Sequence, residues 1–467
     1  MANSNGWGDG AANNAIGWGQ GANNAIAWGD SHAKSWAGAT DIVGLTTDPA
    51  ASAFIQATGI TGATQQAAID TLVKGLKADG IWSKMKAVYP FVTDNRNLLS
   101  YTEDFSNIYW NKTGGSAIVS NTTTAPNGTT TADTFITASG SMTNRMVSNT
   151  LDIIGQTVCV SIYAKSDTFN RIRLSNNASN IISADFNLDA GTLIGTTGSV
   201  ISTSISSVGN GWYRCSMSYV ATDATVLYRM PLITSGISSS IFVWGAQLEL
   251  GSTATTYQPI ATTQQAYIAA QFKYNLVNPV DSDAAFRLVF NGGWTHSSNG
   301  ATPNGTNGYA DTKFNPSLNG QLNSAHLSYY SRTNNSTDNQ IEIGANAPAH
   351  FLCYRFSSLL AYHGINSLDT PSTPFTPSTG LFVGSRINST TGKFYTNGSL
   401  ALTDNKASTS RPNQNISLGA LNNNGTQAYF TTKQSAFATI GDGLTDTEAA
   451  NLYTRVQAYQ TALSRNV

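Results

Sequence analysis

Charge is what this sequence has least of. Only 11% of its 467 residues are Asp, Glu, Lys or Arg, where globular domains carry roughly a quarter. Twenty-five Lys and Arg against 26 Asp and Glu leave a net charge of −1, which gives no electrostatic footprint for nucleic acid. Histidine is scarce. His32, His296, His326, His350 and His363 show neither H-E-x-x-H nor H-x-H spacing, so no metal motif is present. Cys159, Cys215 and Cys353 are odd in number and far apart, without a C-x-x-C pair. They predict small buried apolar residues rather than a disulfide framework. No apolar run of about 18 residues occurs, which excludes a membrane-spanning helix. Met1-Ala-Asn-Ser-Asn5 has neither a basic region nor an apolar core, so no secretory signal is expected there. A G-x-S-x-G elbow and a glycine-rich loop set between strand and helix are both missing, and with them the hydrolase and phosphate sites they would build.

What fills the surface instead is Asn, Ser, Thr, Gln and Gly. Such a surface is neutral, hydrated and rich in tight turns. It suits an all-β extracellular or particle-borne protein, and export without a signal is what lysis provides.

The last third of the chain holds a sharp local signal. Lys393-Phe-Tyr-Thr-Asn-Gly-Ser-Leu-Ala-Leu402 places Asn-Gly between two alternating runs. Both central positions of a type I′ turn need positive φ, which Asn and Gly tolerate best, so a β-hairpin is predicted. Asn415–Gly419 reads as a further short strand. Leu444-Thr-Asp-Thr-Glu448 reads as a capped helix start, with Ala449, Ala450, Leu452, Tyr453, Val456 and Leu463 as its buried positions over 446–463. In this order the three features resemble the end of the concanavalin A-like (laminin-G-like) lectin fold.

Upstream, Thr64 is read as the N-cap of a helix carrying Ala68, Ile69, Leu72, Val73 and Leu76 at helical period, with Gly80 just past its end. The stretch 64–92 resembles the opening of the lectin-like domain of bacteriophage particle proteins. There the chain passes at once into a strand like Ala285-Phe-Arg-Leu-Val-Phe290. Here that segment lies almost two hundred residues later, so a module is inserted. Val158–Ala164, Trp212–Val220 and Ile241–Leu250 alternate. In the last, Phe242, Trp244, Ala246, Leu248 and Leu250 are assigned to one face, and Val243, Gly245, Gln247 and Glu249 to the other. Short strands with turn signals and no convincing helix predict a β-sandwich. The markers N-L-L-x-Y-x-E-D-F from Asn97, V-S-I-Y-A-K-S from Val160, G-W-Y-R from Gly211 and W-G-A-Q-L-E from Trp244 resemble the carbohydrate-binding-like sandwich modules of tailed-phage structural proteins. Exposed polar junctions are expected at Asp94-Asn95 and Thr262-Thr263.

The first 44 residues repeat. Gly6-Trp-Gly-Asp-Gly-Ala-Ala-Asn-Asn-Ala-Ile16 is followed by Gly17-Trp-Gly-Gln-Gly-Ala-Asn-Asn-Ala-Ile26, and a decaying copy runs to Trp36. So short a Gly-rich repeat builds no core of its own. Its regularly spaced Trp7, Trp18 and Trp28, with Trp36, predict docking on another surface, because Gly/Ser linkers carry no such rings.

The expected architecture is therefore all-β. It has a 1–44 docking segment, a jelly-roll-like lectin sandwich from 45–94 plus 264–467, and a second sandwich inserted at 95–263, with short flanking helices. No catalytic constellation is found. Glu103, Asp104, Glu249 and Glu342 are glycosidase candidates by residue type alone, and two carboxylates would have to face each other across a cleft. Asp281 and Asp283 supply only a fragment of a calcium shell and read as a solvated turn, so no metal or cofactor is expected. Exposed aromatic rings can stack on sugar C–H faces. Trp294, Tyr309, Tyr329 and Tyr330, in or near Gly/Asn-rich loops, are the candidate glycan contacts. The resemblances imply a non-enzymatic virion protein: a tail-fibre-like appendage that adheres to host glycans, trimeric by family habit. It would dock on other virion proteins through Trp7, Trp18, Trp28 and Trp36. A head fibre or capsid decoration protein and a polysaccharide depolymerase are the alternative expectations.

Overall fold

The structure is a computed structural model describing residues 47–137, 145–176, 181–229, 239–335, 339–357, 360–368, 372–374 and 377–467. The Trp-Gly repeat, with Trp7, Trp18, Trp28 and Trp36, lies outside the described residues. The fold is all-β, built from antiparallel sheets packed as sandwiches.

The 435–441 strand is the hub of one sheet. Ser435–Gly441 pairs with Met85–Tyr89, with Ala325–Ser331 and through Ala301 with Gly300–Pro303. The Asn397-Gly398 hairpin closes the other end of this sheet, with Thr396 opposite Ser399 and φ of 49° and 78° at the two turn residues. This sheet has two buried faces, and its strands alternate accordingly. Leu327, Tyr329, Phe382 and Phe394 face a second sheet and meet Ile343, Leu352 and Leu418 there. Tyr330, Leu381, Val383 and Tyr395 face helices on the other side. Those helices are α1 (Pro49–Thr58), α2 (Ala63–Ala78) and, at the end of the chain, α5 (Asp446–Ala462); the short α3 (Gln264–Phe272) and α4 (Pro316–Asn319) come between them in sequence.

Helix α2 begins one residue before the predicted cap, with Gly62 in the cap position. It buries Ala68, Ile69, Leu72, Val73 and Leu76. Helix α5 starts in a capping box between Thr445 and Glu448 and buries Ala449, Leu452, Val456 and Tyr459. Ala450, Tyr453 and Leu463 are only half-buried. Residues 285–290 are not a continuous strand. The chain turns left-handed at Phe286 (φ 57°), its carbonyl accepts from the Tyr89 hydroxyl at 2.7 Å, and strand pairing begins only at Val289–Asn291.

The strands between 111 and 250 form two six-stranded sheets. One runs Val200–Gly209, Trp212–Val220, Thr157–Ser166, Ser239–Leu250, Ala132–Thr137, Ala117–Thr123. Its inner face packs Val158, Val160, Ile162, Cys215 and Met217 onto Ile172, Leu174 and Phe186 of the other sheet. The simple alternation expected for 241–250 fails at Gly245. Pairing with the 157–166 strand skips a residue between Trp244 and Gln247, and Gly245 sits at φ 63°. This bulge re-phases the strand. Ile241 and Val243 face the inner core before it, and Ala246 and Leu248 after it.

The junction at Thr262-Thr263 is exposed, as expected, whereas Asp94 is buried and Asn95 half-buried. Asp94 and Asn97 are buried. Asp94 Oδ2 accepts from Thr61 N at 2.6 Å and Gly62 N at 3.0 Å, at the start of α2. Asn97 Nδ2 donates to Ala246 O at 3.0 Å and Gln258 O at 2.9 Å. The outgoing and returning chains are tied together, since Tyr101 N donates to Thr262 O at 3.2 Å. Buried polar groups are costly unless hydrogen-bonded, which accounts for the density of Asn, Gln and Asp here.

Candidate functional site

Two of the four aromatics singled out in the sequence are core residues. Tyr329 and Tyr330 lie on the 325–331 strand and are 1% and 0% exposed, the first facing the second sheet and the second facing the helices. Their hydroxyls are paired: Tyr329 donates to the O of buried Lys433 at 2.9 Å, Tyr330 to Gln457 Oε1 at 3.1 Å. Loop-like composition nearby concealed a strand buried on both sides. Trp294 and Tyr309 do come together. The Trp294 indole N–H reaches Asn291 O and Tyr309 O at 3.1 and 3.2 Å, and both side chains are half-exposed. Trp294 is nonetheless a packing residue: its ring meets Phe290 edge-on at 5.2 Å and lies stacked 6.1 Å from His296.

The candidate acids divide in the same way. Glu342 forms a fully buried ion pair with Lys433 at 2.7 Å. Glu249 is buried and held by Thr255 N at 2.9 Å, Thr255 Oγ1 at 2.6 Å and Gln247 Nε2 at 2.7 Å. Asp104 caps its own loop through Ser106 at 2.6 Å. Asp281 is paired with Lys273 and Arg287, and Asp283 with Arg287 and Lys313. Among the described residues no three His, Cys, Asp or Glu side chains meet as a metal-binding group. Cys159, Cys215 and Cys353 are buried and form no disulfide.

The half-exposed aromatics that do gather lie on the outer face of the 157–250 sheet. Cross-strand register sets them in rows. Trp244 stands opposite Tyr163 and Tyr163 opposite Arg214. In the next row Phe242 stands opposite Lys165, and Lys165 opposite Trp212. Side chains directly opposite on one face are in contact distance. The Tyr163 and Trp244 rings are 5.2 Å apart, and Tyr257 closes the group at 5.8 Å from Tyr163 and 4.9 Å from Trp244. The Arg214 guanidinium lies 5.4 Å from the Tyr163 ring, within cation–π range.

Two loops fold over the ends of this face. The 124–131 loop receives the Trp212 indole N–H at Thr124 O (3.0 Å) and the Trp244 N–H at Thr131 Oγ1 (3.1 Å). At the other end Gln258 N donates to Gln247 Oε1 at 2.7 Å, and Arg214 Nη1 donates to Thr255 O at 2.5 Å. Trp212 and Trp244 are thereby buried, whereas Tyr163, Lys165, Arg214, Phe242 and Tyr257 stay half-exposed. Hydroxyls continue the field on the edge strand, where Ser206 stands opposite Arg214 and Ser204 opposite Ser216.

Glu103 borders the aromatic group, accepting from the Tyr257 hydroxyl at 3.1 Å. Burial raises its pKa above the ordinary carboxylate value, offset by hydrogen bonds from Tyr257 and Trp244. The Tyr257 hydroxyl is driven far up, first by burial and then by the Glu103 charge. The face thus offers flat rings flanked by one acceptor, two cations and a row of hydroxyls. That chemistry suits a ligand with both C–H faces and hydroxyl groups. The sequence reading missed Tyr163, Lys165 and Arg214, although they fall on the off-core positions of alternating strands. Tyr257, which arrives from a loop, had no such signal.

No protein-family model matches this chain, and no curated protein matches it either. Solved structures with local similarity include domain 4 of AbnA, a GH43 extracellular arabinanase from Geobacillus stearothermophilus, at 16% identity and TM-score 0.26 over 35% of this chain and 80% of that one. Another is the enzymatically active domain of tailspike protein 4 of bacteriophage CBA120, at 15% identity and TM-score 0.22 over 33% of this chain and 21% of that one. The LG4-5 domains of the mouse laminin alpha1 chain align at 11% identity and TM-score 0.22 over 64% and 86%. Superpositions this loose carry no argument about this chain.

Proposed function

We propose that this protein adheres to surface glycans through the open aromatic face of its inserted sandwich, binding without turnover. The observation that carries the reading is half-exposed Tyr163 and Arg214 side by side on that face, backed by the buried Trp244 ring, with Tyr257 and Glu103 beside them. Stacking rings bind sugar C–H faces, and the flanking polar groups pair with hydroxyls. The burial of Glu249 and Glu342 disfavours a depolymerase, because neither faces a cleft where a glycosidic bond could lie.

The wider setting we propose is a tailed-phage virion, with this chain as a projecting tail-fibre-type appendage. Residues 45–94 plus 264–467 would be the lectin-like scaffold, 95–263 the adhesive module, and 1–44 the anchor to other virion proteins. A homotrimer is the assembly this setting favours. The motif resemblances, the low charge and the Trp-Gly repeat support that reading.

The test is electrophoresis of the full chain through gels containing host surface polysaccharide, alongside a reducing-end assay. Retardation that is lost in Tyr163→Ala, with no reducing ends released, is expected. Retardation unchanged in that variant, or release of reducing ends by the purified chain, overturns the proposal.

A further inference from the structure

Helices α2 and α5 pack through Leu72, Val456 and Tyr459, yet the groove between their outer edges is open. A cavity of about 350 Å³ lies along it. A second of about 600 Å³ continues from it past Ala63, Ala67 and Gly75 to Thr47. Solvated helix faces normally carry charge. Here Thr64, Ala67, Thr71, Ala458 and Ala462 are exposed along the groove. Arg455 lines both cavities, its guanidinium fixed by Asp79 at 2.8 and 3.0 Å.

What covers this surface is indicated by where the described chain starts. Thr47 is its first described residue and is itself part of the cavity wall. The residues immediately before it include Ile42, Val43 and Leu45, and Trp36 comes next among the large apolar groups. Eleven residues of extended chain reach at most about 40 Å, and the sixteen residues of α2 span about 24 Å. Trp36 can therefore reach any point of the groove. Among the tryptophans of the repeat it has the shortest tether, hence the least loop-closure cost.

We infer that residues 36–46 of the same chain dock in the α2/α5 groove, with the Trp36 indole on the alanine floor beneath the Arg455 guanidinium. The contact is apolar burial with a cation–π component. The inference does not rest on the glycan reading; it takes Trp36 out of the proposed anchor and leaves Trp7, Trp18 and Trp28 to it.

Hydrogen–deuterium exchange on the full chain tests it. Backbone amides of 36–46 should exchange at least tenfold more slowly than a random coil. In Ala67→Glu, which places a charge on the groove floor, they should return to within about twofold of coil rates. Trp36→Ser should give the same loss and cannot act by unfolding the sandwiches. Coil-like rates in the native chain overturn the inference, as does protection that survives both substitutions. Protection that grows with protein concentration overturns the same-chain assignment, because a second copy would then be the occupant.

Discussion

Lys433 and Glu342 are both closed to solvent and bonded at 2.7 Å, with Gln340 Oε1 3.3 Å from the ammonium. Such a pair adds little over an apolar substitute, but removing one member strands a charge. Lys433→Met should therefore cost about 3–5 kcal/mol in denaturant unfolding. Glu342→Met combined with Lys433→Met should recover most of that. At this scale the sequence was least legible. Glu342 looks like any acid in a linear chain, and Tyr329 and Tyr330 look like loop aromatics. Only the pairing of 325–331 with strands on both sides shows that the two tyrosines are interior, and only the buried contact with Lys433 shows it for Glu342. The half-exposed rings of the outer face were legible in part, because period-two alternation already set Tyr163 apart from Val160 and Ile162.

Elements were read more securely than single residues, since periodicity averages over many positions. The 212–220 strand, the α2 helix and the Asn397-Gly398 hairpin stand where the sequence pattern puts them. The misreadings fall where a single residue changes phase. Gly245 is the clearest: its bulge turns Trp244 outward and Ala246 inward on the same strand. A β-carbon there would sit 3.0 Å from Tyr163 Cδ2, at φ 63°. Gly245→Ala should lose roughly 1–2 kcal/mol of stability from the left-handed backbone alone. It should also weaken glycan retention by displacing Tyr163. Unchanged stability in urea would mean that the bulge relaxes without cost. The left-handed turn at Phe286 is a second such point, invisible in a run of apolar residues.

Across the whole molecule, the sandwiches carry titrations of opposite sign. Burial lowers His296, His326 and His350 to about 4 and His363 to about 3, below the ordinary value of about 6.5. These histidines fold as neutral groups, so their contribution is complete above about pH 6.5 and is lost as pH falls towards 4. All four lie in the 264–467 part. In the inserted part, burial raises Asp133 to about 6, so its contribution is present at low pH and lost as pH rises through about 6. Calorimetry from pH 7.5 to pH 5 should show the transition of the histidine-bearing sandwich falling by more than about 5 °C. The transition of the inserted sandwich should not fall. A common downward shift of both would contradict this assignment. The two-sandwich architecture itself was foreseen from strand spacing and motif order. The buried polar junction was not, because the same Asn, Gln and Asp residues also mark exposed turns.

The central claim is that glycan is held on the outer face of the inserted sheet. Its most direct measurement is a hydrogen-exchange footprint of the full chain with and without a saturating host surface oligosaccharide. Protection confined to 161–165, 212–216 and 255–258 is the predicted result. Protection at 291–309, around Trp294 and Tyr309, or saturation that leaves the predicted segments unchanged, would contradict it.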